Sequence, residues 1–197
     1  MLSIDNLTVR AGGRELFSPI SMSVPRGQVT VIMGNSGVGK TSLLATVAEY
    51  ASSFTVFQDS HQLLPWYSVR KNLDLVCKQD YTAMVCEWEL HDLLDHKPND
   101  VSGGQRQRFT LIRAMCSGAK VLLCDEPLSG LDLVIRRKVA RDFKKKVQEL
   151  GLSSIWVTHD LNEAKLVGDE ISLLDAWGLK AMPRNINEKS FIKELGN

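Results

Sequence analysis

The sequence predicts an α/β fold built on a mostly parallel sheet, and three observations carry that expectation. Residues 1–33 are a series of short β-rich runs separated by turn signals. From Ser102 onward, apolar strand-like runs alternate with amphipathic helical ones, the pattern of β and α units around a parallel sheet. Between them, at about residues 60–101, the texture turns helical and marks an insertion. A chain of 197 residues with 44% hydrophobic content is long enough for one well-buried core, so a single domain over 1–197 is expected.

Taken in order, "LSIDNLTV", "ISMSV" and "VTVIM" read as strands, broken at "AGGRE" and "PRG". The run "TSLLATVAEY" has helical character, and "SFTVFQ" returns to strand. In the insertion, Tyr81, Met84, Val85 and Trp88 share one helical face and are expected to pack in the core, with a stop at "HKPND". Phe109, Ile112 and Cys116 mark the next helix and "KVLLCDEP" a buried strand. Val139, Phe143, Val147 and Leu150 form the inner face of a longer helix, whose basic run "RDFKKKVQE" is its solvated side. "SSIWVTHD" and "EISLLD" are two further strands.

Twenty-four Lys and Arg against 23 Asp and Glu leave a net charge of +1, which supplies no general attraction to nucleic acid or an anionic membrane. Cys77, Cys86, Cys116 and Cys124 lack C-x-x-C or metal-like spacing and read as reduced, largely buried thiols of the cytoplasm. The start has no signal-peptide pattern, and no apolar run approaches the roughly 20 residues of a spanning helix.

Two motifs carry chemistry on their residues alone. Gly34, Asn35, Ser36, Gly37, Val38, Gly39, Lys40 and Thr41 match G-x-x-x-x-G-K-[ST] between a strand and a helix that continues with Ser42. The glycines let successive N–H groups turn inward around a β-phosphate, and the helix N-terminus adds its partial positive charge. Lys40 is placed to reach the β- and γ-phosphates and the Thr41 hydroxyl to ligate Mg²⁺, which makes the fold a P-loop NTPase. The second motif is "VLLCDEP", where a buried strand delivers Asp125 and Glu126 to the sheet edge at which open α/β folds bind ligands. Strand alternation would send the two acids to opposite faces, Asp125 to the Mg²⁺ shell and Glu126 to the attacking water.

With "VSGGQ" at Val101–Gln105, the chain resembles the nucleotide-binding subunit of the ATP-binding cassette transporters, whose signature normally begins with Leu. The resemblance covers nearly the whole chain and extends in order through Gln58 in "VFQDS", the Asp125–Glu126 pair, "SGLD" at Ser129–Asp132 and His159 in "VTHD". It implies that two cassettes pair head to tail, so that Ser102, Gly103, Gly104 and Gln105 contact the nucleotide held by a partner's Lys40. It further implies that Gln58 links Mg²⁺ and the attacking water to the helical insertion and that His159 contacts the γ-phosphate. "LLPW" at Leu63–Trp66 is similar to bacterial importer cassettes, where Trp66 is read either as a contact to a membrane partner or as an ordinary packing residue. His61, His91 and His96 receive no role.

Three departures from the family pattern matter. The place of an adenine-stacking aromatic is taken by Ala11, preceded by Arg10, whose guanidinium is an alternative cover for the base. Only seventeen residues lie between Lys40 and Gln58, so the antiparallel β-subdomain is reduced. The stretch from Gln58 to Ser102 is short as well, and only a short tail is expected after the last strands, with no regulatory C-terminal domain. The implied function is ATP hydrolysis with Mg²⁺, driving solute transport, import foremost, through a separate transmembrane permease on the cytoplasmic side of the cell membrane. A homodimer and a solute-binding protein are the implied partners, with no nucleic acid. The rival readings are a soluble cassette acting on nucleic acid or ribosomes, a weakly hydrolysing cassette and a non-hydrolysing nucleotide switch.

Overall fold

The structure is a computed structural model that describes residues 1–58, 62–183 and 185–195. His61 and the expected start of the insertion at about residue 60 lie outside the described residues. The chain opens with β1 (Leu2–Leu7), the two-residue strands β2 (Arg10–Ala11) and β3 (Arg14–Glu15), β4 (Ile20–Val24) and β5 (Gln28–Met33). The "AGGRE" break is therefore a small hairpin, with β2 and β3 joined through Gly12 and Gly13 and closed by an Arg10–Glu15 ion pair at 2.9 Å. β1 pairs antiparallel with β4, and among the described residues this pair and the hairpin are the antiparallel strands outside the main sheet.

Helix α1 (Lys40–Tyr50) follows β5, and β6 (Ser53–Val56) follows α1. Among the described residues six strands form the main sheet in the order β10, β9, β5, β8, β7, β6. β7 is Val121–Asp125, β8 Ser153–Val157, β9 Glu170–Asp175 and β10 Gly178–Met182. All neighbours are parallel except β9 and β10. Alternation along β5 covers both faces. Val29, Val31 and Met33 enter a core shared with α4 (Gly103–Cys116), α5 (Leu133–Glu149) and α6 (Leu161–Val167). Ile32 enters the core of the other face, with Leu43, Leu44 and Val47 of α1 and the β1–β4 pair. The Phe143 and Trp156 rings, 4.7 Å apart, seat α5 on β8.

The insertion holds α2 (Val69–Asp74), α3 (Thr82–Glu87) and two single 3₁₀ turns, at His91–Leu93 and Pro98–Asp100. Met84, Val85 and Trp88 are buried as their spacing predicts, and Tyr81 is half-buried. Buried Asn72 holds the chain before α2: its side chain accepts from Leu64 N at 2.6 Å and donates to Leu64 O and Ser68 O. That turn displays Trp66, which is 65% exposed, so its reading as a packing residue does not hold.

The structure differs from expectation in three further places. Leu150 caps α5 and is 38% exposed because the helix ends at Glu149, before the next inward position. Of the four cysteines only Cys116 and Cys124 are buried, while Cys77 is half-buried and Cys86, on the outer side of α3, is exposed. The segment after β9 is more than a tail: β10 closes the sheet edge and α7 (Glu188–Leu195) sets Phe191 into the main core.

Candidate functional site

The P-loop is placed by the C-terminal end of β5 and by what surrounds it. A Cβ on Gly34 would lie 2.6 Å from the Leu174 carbonyl oxygen of β9, a backbone atom that cannot step aside. Gly39 takes φ 109° and would set a Cβ 2.7 Å from Leu16, so the turn into α1 admits only glycine. α1 starts without a side-chain cap, which leaves its first N–H groups for an anion. Lys40 is buried and spans the loop, with Nζ donating to Gly34 O and Asn35 O at 2.9 Å each. Burial pulls its pKa below the usual lysine value, against the opposing pull of Glu126 and Asp125.

Thr41 Oγ1 donates to Asp125 Oδ2 at 2.6 Å, so the P-loop hydroxyl and the strand-end carboxylate meet at one point. Ser36, Gly37, Gly39–Ser42, Gln58, Asp125 and Glu126 line one cleft of about 280 Å³. Two adjacent protein oxygens facing a phosphate cradle suit Mg²⁺, which keeps several waters and takes its remaining ligands from substrate phosphates. Glu126 leaves the strand conformation at φ 45°, an uncommon region for a residue other than glycine. The alternation that would send it to the face opposite Asp125 therefore does not apply. Its N–H still donates to Val157 O at 2.9 Å, while Oε2 lies 2.9 Å from His159 Nδ1. His159 follows β8 and its side chain is mostly exposed, so its ring reaches the acid from solvent.

Ser102–Gln105 stand apart from this cleft. Ser102 caps α4, its Oγ accepting from Gln105 N at 3.2 Å while Gln105 Oε1 accepts from Ser102 N at 2.8 Å. The Gln105 side chain is thus held within a capping box. Among the described residues nothing requires glycine at the two positions between them. A Cβ on Gly103 would meet only the tip of Arg106 at 3.9 Å, and one on Gly104 would make ordinary contact with Leu131 at 3.6 Å. Gln58 bridges the two places: it lines the cradle and also a second cleft with Gly103, Gln107 and Ser129–Leu131.

The sequence reading missed Arg136. Its NH1 donates to Asp160 Oδ2 and its NH2 to Leu131 O, both at 3.1 Å, tying the turn before α5 to the turn that carries His159. Asp160 also caps α6 by accepting from Asn162 N and Glu163 N. Buried Glu163 accepts from Trp156 Nε1 at 2.8 Å, and burial raises its pKa. The start of α6 was marked by "HDLNE", where an Asp is followed three residues later by a Glu next to a candidate site residue, but nothing in that pattern points to Arg136.

A glycine-rich loop wrapped by a buried lysine, a threonine on a strand-end aspartate and a parallel sheet behind them define a P-loop nucleotide-binding protein. A family model described as "ABC transporter" matches residues 17–53 and 49–129, and the chain belongs to that family. It is 31% identical to the spermidine/putrescine import ATP-binding protein PotA of Marinobacter nauticus, over 96% of this chain and 60% of that protein. It is 36% identical to the aliphatic sulfonates import ATP-binding protein SsuB 1 of Paraburkholderia xenovorans, over 84% and 55%. The Fe(3+) ions import ATP-binding protein FbpC of Pasteurella multocida is 34% identical, over 88% and 58%. The chain thus spans 55–60% of the length of these curated relatives. A solved structure described as an inward-facing metal-chelate type ABC transporter superposes with a TM-score of 0.81 at 22% identity, covering 97% of this chain and 86% of that one. That likeness is one of fold.

Proposed function

We propose that residues 1–197 form one cassette, with its helical insertion at about 60–101, that binds MgATP and hydrolyses it to drive solute import through a separate membrane permease. The observation that carries this reading is the convergence of Lys40, Thr41, Asp125 and Glu126 on one cleft. In it, the N–H groups of Gly34–Thr41 and the start of α1, with Ser42, hold the phosphates. Lys40 exchanges its two loop carbonyls for phosphate oxygens. Thr41, Asp125 and Gln58 hold Mg²⁺, which neutralises phosphate charge when bound. Glu126 accepts the proton of the attacking water as its oxygen bonds to the γ-phosphorus and the bond to the β-phosphate oxygen breaks. His159, beside Glu126, orients that acid and meets the γ-phosphate.

Ser102, Gly103, Gly104 and Gln105 act on the nucleotide of a second copy. The support is the pair of glycines that packing among the described residues does not require, on a helix start whose residues do not line the cradle. The permease is the membrane partner, supported by the exposed Trp66 and Tyr67 rings, which meet edge to face at 6.4 Å. Among the described residues no helix is long and apolar enough to cross a membrane. Attachment at the cytoplasmic face through that partner belongs to the same proposal. The import direction is supported by the names of the relatives above, and a solute-binding protein is the further partner proposed with it. The test is phosphate release from ATP with Mg²⁺ by the wild type and Lys40→Ala. The wild type is expected to turn over and the variant to lose nucleotide binding; equal activity of the two overturns the reading.

A further inference from the structure

This inference rests on the proposed function and concerns Gln107, one turn beyond Gly103 on α4. Its side chain is 3% exposed, and Nε2 has no hydrogen-bond partner. The Nε atoms of Arg106, Arg108 and Arg113 on the same helix are buried and unpaired as well, but the polar side chains beside Gln107 each make at least one bond. Gln105 holds Ser102 N, Arg106 donates to Pro98 O and Val101 O, Arg108 to Trp88 O and Thr110 to Arg106 O. Those bonds fasten α4 to itself and to the chain that precedes it. Gln107 faces elsewhere, into the second cleft, of about 280 Å³, walled by Gln58, Gly103 and Ser129–Leu131.

Each wall of that cleft leads to a different part of the site. Gln58 also lines the phosphate cradle. Gly103 follows Ser102. The turn at Ser129 is bonded to Glu126 through Ser129 N and Glu126 O at 3.2 Å. Ser129 and Gly130 line the same cleft, and among the described residues no backbone N–H is bonded to their carbonyls. A buried amide donor without an acceptor is unfavourable, and a displacement of α4 that brings it to a free carbonyl relieves that cost. A bond made in one of two arrangements, and absent from the other, shifts the population toward the first.

We propose that Gln107 is a positioning residue whose side-chain amide latches α4 to the Ser129–Leu131 turn when the cleft narrows. The latch couples the placement of Ser102 against a partner's nucleotide to the placement of Glu126 against water. Gln107 itself touches neither nucleotide.

The test is Gln107→Leu, close in size but unable to donate, in the wild type and in a Glu126→Gln background. In the wild type, kcat is expected to fall about tenfold while KM and monomer affinity for ATP stay within about twofold. The thermal midpoint should hold or rise, because an apolar group replaces an unpaired buried donor. In the Glu126→Gln background, ATP-driven pairing should weaken about tenfold by sedimentation. Wild-type kcat and pairing in Gln107→Leu overturn the latch, as does a lowered midpoint with kcat and KM changing together, the mark of a packing role. If Glu126→Gln alone fails to pair with ATP, the proposed function falls and takes the latch with it. If Glu126→Gln pairs and Gln107→Leu leaves that unaltered, the latch alone falls.

Discussion

Helices α1 and α4 both begin beside glycines, and they begin in opposite ways. At α1 the glycines are dictated from within: Gly34 by the Leu174 carbonyl, Gly39 by its positive φ and Leu16. α1 carries no side-chain cap, and its first N–H groups are left for a ligand. At α4, Ser102 and Gln105 complete a capping box, and neither glycine is needed by any neighbour among the described residues. Glycine costs a helix interior about 1 kcal/mol relative to Ala, and even in the first turn it is a weaker helix former than Ala. A helix start that serves its own subunit's phosphates can leave its N–H groups unpaired. In the proposed pairing, one that waits for a neighbour must hold itself together, and its smooth glycine surface would serve the second copy.

The largest expected effect joins the two regions through one nucleotide. Glu126→Gln should lower hydrolysis by about 10²- to 10⁴-fold, the usual contribution of a positioned general base. It leaves the phosphate contacts intact, so gel filtration with MgATP should show a trapped dimer held by the α4 start. A variant that binds ATP and stays monomeric would separate the two regions and break the comparison.

Next come the substitutions that should act on one region only. Lys40→Ala removes a buried charge from the cradle, about 3 kcal/mol or about 100-fold in monomer affinity for nucleotide. Ser102→Arg should abolish ATP-driven pairing while monomer affinity stays within about twofold. It also removes the cap, about 1 kcal/mol, which lowers the thermal midpoint by about 2–4 °C. Ser102→Asp sharpens the test, because it keeps a capping oxygen while setting a negative charge against a partner's phosphates. Pairing should be lost with the midpoint retained. If either Ser102 variant weakened monomer binding as much as Lys40→Ala does, α4 would be acting within its own subunit.

The difference between the regions also sets how much of each was legible in the sequence. The P-loop and the Asp125–Glu126 pair were readable because spacing and an apolar strand determine them locally. Glu126's positive φ was not, since strand alternation carries no sign of where it stops. α2 and α3 have six residues each, too few for a helical period to mark their ends. Arg136 escaped notice because its Asp160 partner lies 24 residues away and only the packing of α5 on α6 brings them together. The unpaired amide of Gln107 is invisible to any pattern, because a missing partner is a property of the folded surroundings.

The smallest expected effect concerns Ala11, at the position where the family resemblance expects an adenine-stacking ring. Ala11 sits on the β2–β3 hairpin, exposed, and the guanidinium of its neighbour Arg10 is already bonded across the hairpin to Glu15. A base bound there gains little from Ala11, and affinity rests on the phosphate contacts of Gly34–Thr41, so ATP and GTP should bind almost alike. Ala11→Tyr supplies a ring, and base–aromatic stacking is worth about 1–3 kcal/mol on nucleic-acid platforms. At the low end of that range ATP affinity rises about fivefold, read by fluorescent-nucleotide titration. Turnover at saturating ATP should not change, because a stacked base is held equally in the ground and transition states. An unchanged affinity would mean that the Arg10 plane covers the base despite its bond to Glu15, and that the first region binds by more than its phosphates.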